Sequence, residues 1–159
     1  VDPASDALDG YACLYLEGLD DFAWSEAALA RLRAYLDRGG TLVINNGLGL
    51  ATFDRAVRRE LARLLPGAAL QRTPAEHPVF SALLPLGEVR YTAAALQAQP
   101  GLSEAVLEGI VLEGDLRVLY SPYDLACGWL GCDYPLARAY DRDSAIRLGM
   151  NLFVYAMTH

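Results

Sequence analysis

The chain has 159 residues, 53% hydrophobic and 21% charged, with a net charge of −7; this is the profile of one globular domain, and it excludes a disordered chain. The acidity excludes a phosphate-backbone partner, which requires a basic surface. All thirteen basic residues are arginine, which excludes Schiff-base lysine chemistry and a Walker lysine.

Residues 1–10, "VDPASDALDG", read as a linker or frayed entry, and residues 11–159 as a single α/β domain. The absence of an initial methionine and of a signal pattern suggests a piece excised from a longer protein. "YACLYLEG" (Tyr11 to Gly18) is a short β-rich apolar run ending at glycine, a buried strand. "SEAALARLRAYLDRGG" is the clearest helix, with Ser25 as N-cap, Leu29, Leu32 and Leu36 on one face, and Gly39 placed to stop it. "TLVINN" (Thr41 to Asn46) is the next strand. After "GLGLA", Thr52 is expected to cap a second helix with Phe53, Val57, Leu61 and Leu64 as its stripe and an Asp54–Arg58 pair on its surface. Strand, helix, strand, helix with short connections implies a parallel sheet with right-handed crossovers.

The middle is less regular. "TPAEHPVFSALLPLGE" reads as an extended segment with a turn and "EVRYTAA" as a strand, while "GIVLEGDLRVLYS" places two β-runs around Glu113-Gly114-Asp115 as a hairpin. "DRDSAIRLGMNLFVYAMTH" is a helix capped by Asp141 or Asp143; its apolar residues run nearly all the way round, which predicts burial on both sides, by the sheet and by another element or a subunit. No apolar run approaches the ~18 residues of a membrane span, so no membrane contact is expected of this segment itself.

Taken in order, "YLDRGGTLVINN", "FDRAVRRELARLLPG", "HPVF", "LEGIVLEGDLRVLYSPYDLACGW" and "AIRLGMNLFVYAMTH" resemble the bacterial DUF4159 domain over nearly the whole chain. The resemblance implies a Rossmann-like module related to class I glutamine amidotransferase-like folds: a three-layer α/β sandwich with a short, mostly parallel sheet, flavodoxin-like or amidotransferase-like, plus an antiparallel hairpin. It also implies a membrane-associated or exported parent, so an extracytoplasmic setting is favoured over the cytoplasm. Family members usually carry a further strand–helix unit ahead of the part seen here, which implies a truncated sheet with an exposed edge or a missing neighbour to cover it. The family tends to read Gly-His after the first strand and paired aspartates after the second; here these are Gly18-Leu19 and Asn45-Asn46, so titratable groups are missing from the strand ends where open α/β sheets bind ligands.

Three readings of function follow. A non-catalytic interaction or ligand-binding module, with a second copy or a sister domain of the parent chain as partner, is favoured over catalysis and calls for no cofactor. The alternative is a hydrolase with Cys127 as nucleophile, His77 as base and Asp124 as orienter; the turns that would carry an amidotransferase cysteine hold none. The third is a small-anion sensor using Asn45, Asn46, Gly47, Gly49 and Thr52, where backbone N–H groups precede a helix, although the third glycine of a dinucleotide fingerprint is missing. Cys127 and Cys132 with Asp124 or Asp133 and His77 make a looser set than a zinc knuckle, and a Cys127–Cys132 disulfide would suit only an oxidising compartment. A packed loop is the simpler reading of "YSPYDLACGWLGCDYP".

Overall fold

A computed structural model describes residues 1–132 and 134–159. It is a three-layer α/β sandwich around a five-stranded sheet of order β1-β2-β5-β4-β3. Strands β1 (Cys13–Gly18), β2 (Thr41–Asn46) and β5 (Asp115–Ser121) run parallel. β4 (Glu108–Leu112) returns antiparallel to β5, and the two-residue β3 (Gln71–Arg72) forms the far edge. The hairpin turns through Glu113 and Gly114, both at positive φ, as a two-residue primed turn requires.

Helices α1 (Glu26–Asp37) and α2 (Ala51–Leu64) cover one face. Ser25 caps α1 by accepting from Ala28 N–H at 3.2 Å, and Gly39 at φ +89 ends it. Leu29, Leu32 and Leu36 meet Leu42 and Ile44 of β2 and Phe53, Val57 and Leu61 of α2 in one buried cluster, the dominant favourable contribution to this half of the fold. α2 begins at Ala51 with Leu50 as its N-cap residue and no side-chain cap, so Thr52 does not cap it. Asn46 closes the turn before it instead: its Oδ1 accepts from Leu50 N–H at 3.0 Å and its Nδ2 donates to Leu50 C=O at 3.2 Å. The Asp54–Arg58 ion pair forms at 3.1 Å. Glu60, fully buried, accepts from Trp24 N–H at 3.0 Å and from Arg59 and Arg63, tying the β1–α1 loop to α2.

The opposite face is covered by α3 (Ala93–Ala98), α4 (Ala126–Leu130) and α5 (Arg142–Thr158). Val43 and Leu119 meet Leu148, Leu152 and Tyr155 there. Asp141, not Asp143, caps α5, accepting from Ser144 N–H at 2.9 Å. On α5, Leu148, Leu152 and Tyr155 are buried, whereas Met150 and Met157 are 42% and 61% exposed, so the outer side of the helix is not covered by the described chain itself. The expected strand at "EVRYTAA" reduces to one bridge, Tyr91 to Tyr140, with Thr92 capping α3. Leu8, in the expected linker, is buried against α1. Among the described residues no helix is long and apolar enough to cross a membrane.

Candidate functional site

β2 is buried along its whole length, so its last two residues deliver polar side chains into a covered strand end. Asn45 and Asn46 point to opposite faces, as consecutive strand residues must. Asn46 spends its amide on the Leu50 turn described above. Asn45 reaches the α4 side, where its Nδ2 donates to Asp124 Oδ1 at 2.9 Å and its Oδ1 accepts from Leu125 N–H at 2.9 Å.

Asp124 is 3% exposed and is the centre of this knot. Besides Asn45, Oδ1 accepts from Cys127 N–H at 3.2 Å and Oδ2 from Leu48 N–H at 2.8 Å. The carboxylate therefore holds an N–H of the first turn of α4, orients the end of β2 and holds Leu48 in its left-handed conformation (φ 55) at once. A buried charge is tolerated when surrounded in this way by donors.

The loop from Gly47 to Gly49, read from the sequence as an anion cradle, is covered by the strand-like segment around Arg138. Arg138 N–H donates to Leu48 C=O at 3.1 Å, and its carbonyl accepts from Asp124 N–H at 3.0 Å. Gly49, at φ +64, has no room for a side chain, since a Cβ there would lie 2.6 Å from Arg138 Cβ. Gly47 is likewise closed in by Leu19 and Gly18. Thr52 is exposed on α2. Beside this loop lies a strand-end cleft of about 210 Å³ between α2 and α3, lined by Asn46, Gly49, Asp54, Gln99, Tyr123 and Arg138 among others.

Of the residues proposed for hydrolysis, Asp124 and Cys127 come together but His77 does not join them. Cys127 lies in α4, which packs on the first turns of α5, with Trp129 Nε1 donating to Ala145 C=O at 2.7 Å. His77 stacks edge-on against Tyr155 near the other end of α5, with ring centroids 5.4 Å apart. Ala145 and Tyr155 are ten residues apart on α5, about 15 Å of helix axis. His77 Nδ1 accepts from Val79 N–H at 3.2 Å and caps a short 3-10 turn. Burial, with the charge of His159, lowers its pKa. Cys127 is 6% exposed, and its Sγ donates to Cys132 C=O at 3.3 Å, in place of the Cys127–Cys132 disulfide considered from the sequence. Asp133 lies outside the described residues; among those described, no group of three His, Cys, Asp or Glu side chains is arranged to hold a metal ion.

Two features had no strong local signal. One is the open edge of β1: it pairs with β2 along all six residues, and no described strand pairs with its other side. An apolar groove of about 240 Å³ runs along that edge, lined by Tyr11, Cys13, Leu14, Tyr15, Leu16 and Trp24 with others. Tyr15, 39% exposed, packs on Trp129 and Phe153 and donates to Glu17 Oε2 at 2.6 Å. Burial first, then Glu17, raises its pKa. The other is a cavity at the opposite sheet edge, beside β3.

The chain belongs to the DUF4159 family, a domain of unknown function, whose family model matches residues 1–157. Among curated proteins, none matches it.

Proposed function

We propose that this chain is a non-catalytic interaction module that docks through the open edge of β1, and that its partner there is a second copy of the same chain. The observation that carries the reading is the six-residue strand that, among the described residues, pairs on one side only, with an apolar groove along its other edge. An unpaired strand edge is a template for another strand. The polar groups at the strand ends support a non-catalytic role: Asn45, Asn46 and Asp124 are committed to internal hydrogen bonds, and His77 is far from Cys127.

A second copy fits because Cys13 to Leu16 carry no charge in a chain of net −7. Two acidic copies can approach there without opposed carboxylates. Antiparallel pairing about a two-fold axis at Leu14 would join the two sheets and set Glu17 of each copy opposite Tyr11 of the other, an isologous contact. Sedimentation of the purified chain tests this. Wild type is expected to dimerise reversibly. Tyr11→Asp, at a 49% exposed position, places a carboxylate opposite Glu17 and should weaken the dimer about tenfold, whereas Tyr11→Lys should keep or tighten it. A wild-type chain that stays monomeric at every concentration, or a dimer indifferent to Tyr11→Asp, overturns the reading.

A further inference from the structure

The cavity beside β3 holds about 370 Å³, within the ~300–1,000 Å³ range of small-molecule sites. A register shift between β4 and β5 helps to shape it. Ile110 pairs with Val118 but Val111 pairs with Leu116, so Arg117 is an extra residue on β5. Such a bulge re-aims the side chain beside it: Leu116 turns to the α5 face and lines the cavity, while Val118 stays on the α1/α2 face. Gly109 lies opposite, where a Cβ would stand 2.4 Å from Leu116 Cδ1.

The wall is rich in donors. Thr73 is 5% exposed, and its hydroxyl is the one buried side-chain polar atom among the described residues without a hydrogen-bond partner. Its own N–H is satisfied by Leu107 C=O at 2.8 Å, so the hydroxyl alone is orphaned. A buried hydroxyl in that state costs stability until something pairs with it. Arg72, on the rim, is 53% exposed and meets Glu104 only at 3.8 Å, leaving its guanidinium fork available for a planar carboxylate. His77 accepts at Nδ1 from Val79, which puts its proton on Nε2. No carboxylate lines the cavity, although the chain is acidic overall. The rest of the wall is alanine, isoleucine, valine, leucine, proline and glycine, with Gln71.

We infer that this cavity binds a small organic acid, its carboxylate taken by Arg72 and by the Thr73 hydroxyl once that side chain turns toward the cavity, and its short aliphatic body lying against Leu116 and Val111. Thermal unfolding with sodium butyrate tests it, with butyramide and sodium chloride as controls. Butyrate should raise the wild-type Tm saturably, by about 5 to 10 °C near a hundredfold excess over its Kd, and the controls should not. Thr73→Val keeps the shape and removes the orphan hydroxyl, so without butyrate it should melt at or above the wild-type temperature, and with butyrate it should lose the rise. Arg72→Gln, at an exposed position, should melt like wild type without butyrate and also lose the rise. The absence of a saturable rise, an equal rise with sodium chloride, a rise that survives either variant, or a Thr73→Val protein less stable than wild type would overturn the inference.

Discussion

Asp124 shows how one side chain can be spoken for by its surroundings. Its two oxygens accept three hydrogen bonds, from a strand side chain, a loop N–H and a helix N–H, which fills Oδ1 and leaves a single acceptor site, on Oδ2, in a side chain that is 3% exposed. Asn45 completes the arrangement because an amide both donates and accepts; it gives a hydrogen to Asp124 and takes one from Leu125. An aspartate in its place could still accept from Leu125 but would set a second carboxylate 2.9 Å from the first. Asn45→Asp should therefore destabilise the fold at neutral pH by roughly 2–4 kcal/mol, the order expected when a buried hydrogen bond is replaced by an unpaired charge. Two carboxylates so close share a proton, which raises one pKa. The loss should accordingly shrink as pH falls through that raised value, and urea unfolding at pH 7 and pH 5 would reveal it. A variant equally unstable at both pH values would mean that the deficit is packing rather than charge. The sequence displays Asn45 and Asp124 only as isolated polar residues. They lie 79 positions apart, and no local pattern states that they touch.

Among the elements, legibility followed length and period. β1, α1, β2, α2, the β4–β5 hairpin and α5 can be read from the sequence because each has several turns or alternations of its own. β3, α3 and α4 have two, six and five residues, too few to establish a period, and tertiary contacts decide them. α4 is held by Asp124 and by α5. Trp129 lies over Gly149 in the middle of α5, where a Cβ would meet the indole at 2.6 Å. The ring cannot move aside cheaply, since Nε1 donates to Ala145 C=O and its faces meet Tyr15 and Phe153. In a free helix Gly→Ala gains about 1 kcal/mol, while overpacking costs about 1–3 kcal/mol. Overpacking wins here: Gly149→Ala should lower stability by about 1–2 kcal/mol, read as a lower urea midpoint, with the near-ultraviolet dichroism of Trp129 altered. A stabilised variant would show that the indole is not seated on α5. The same surface accounts for the apolar periphery of α5: Met150 and Phe153 border an open groove of about 400 Å³ with Leu83 and Trp129, so the outer side of this helix is not covered within the described chain.

At the scale of the whole molecule, the titrating groups define a stability plateau. Burial pushes the Glu60 carboxyl up, but Arg59, the Trp24 N–H and Arg63 together outweigh it and hold the pKa below the usual carboxylate range. Burial likewise opposes, without overcoming, the pull of Ser144 and Arg90 on Asp141, whose pKa is also lowered. A depressed pKa contributes stability that is complete above the unfolded value, about 4.3 for Glu and 3.9 for Asp, and is lost as pH falls through the folded one. His77 is depressed as well, so its share begins to go earlier, below about 6.5. At the alkaline end the sign reverses. Burial pushes Cys13 up to about 11 and Tyr140 up to about 12; the unfolded chain ionises first, and stability falls above about 8.5 to 10. Net charge works against the acid losses between neutrality and the isoelectric point near 4.7, because self-repulsion weakens there. The decline between pH 6.5 and 4.5 should therefore be shallow, and the steep one should come below about pH 4.3, where Glu60 and Asp141 take up protons. Urea midpoints measured from pH 3 to pH 10 are expected to trace that flat-topped curve. Glu60→Gln should flatten its acid limb selectively, because the amide does not titrate and its two arginines, 46% and 37% exposed, can return to water. If the variant keeps the full acid limb, Glu60 is not the group whose protonation unfolds the chain, and the limb belongs to Asp141 and the helix start that it caps.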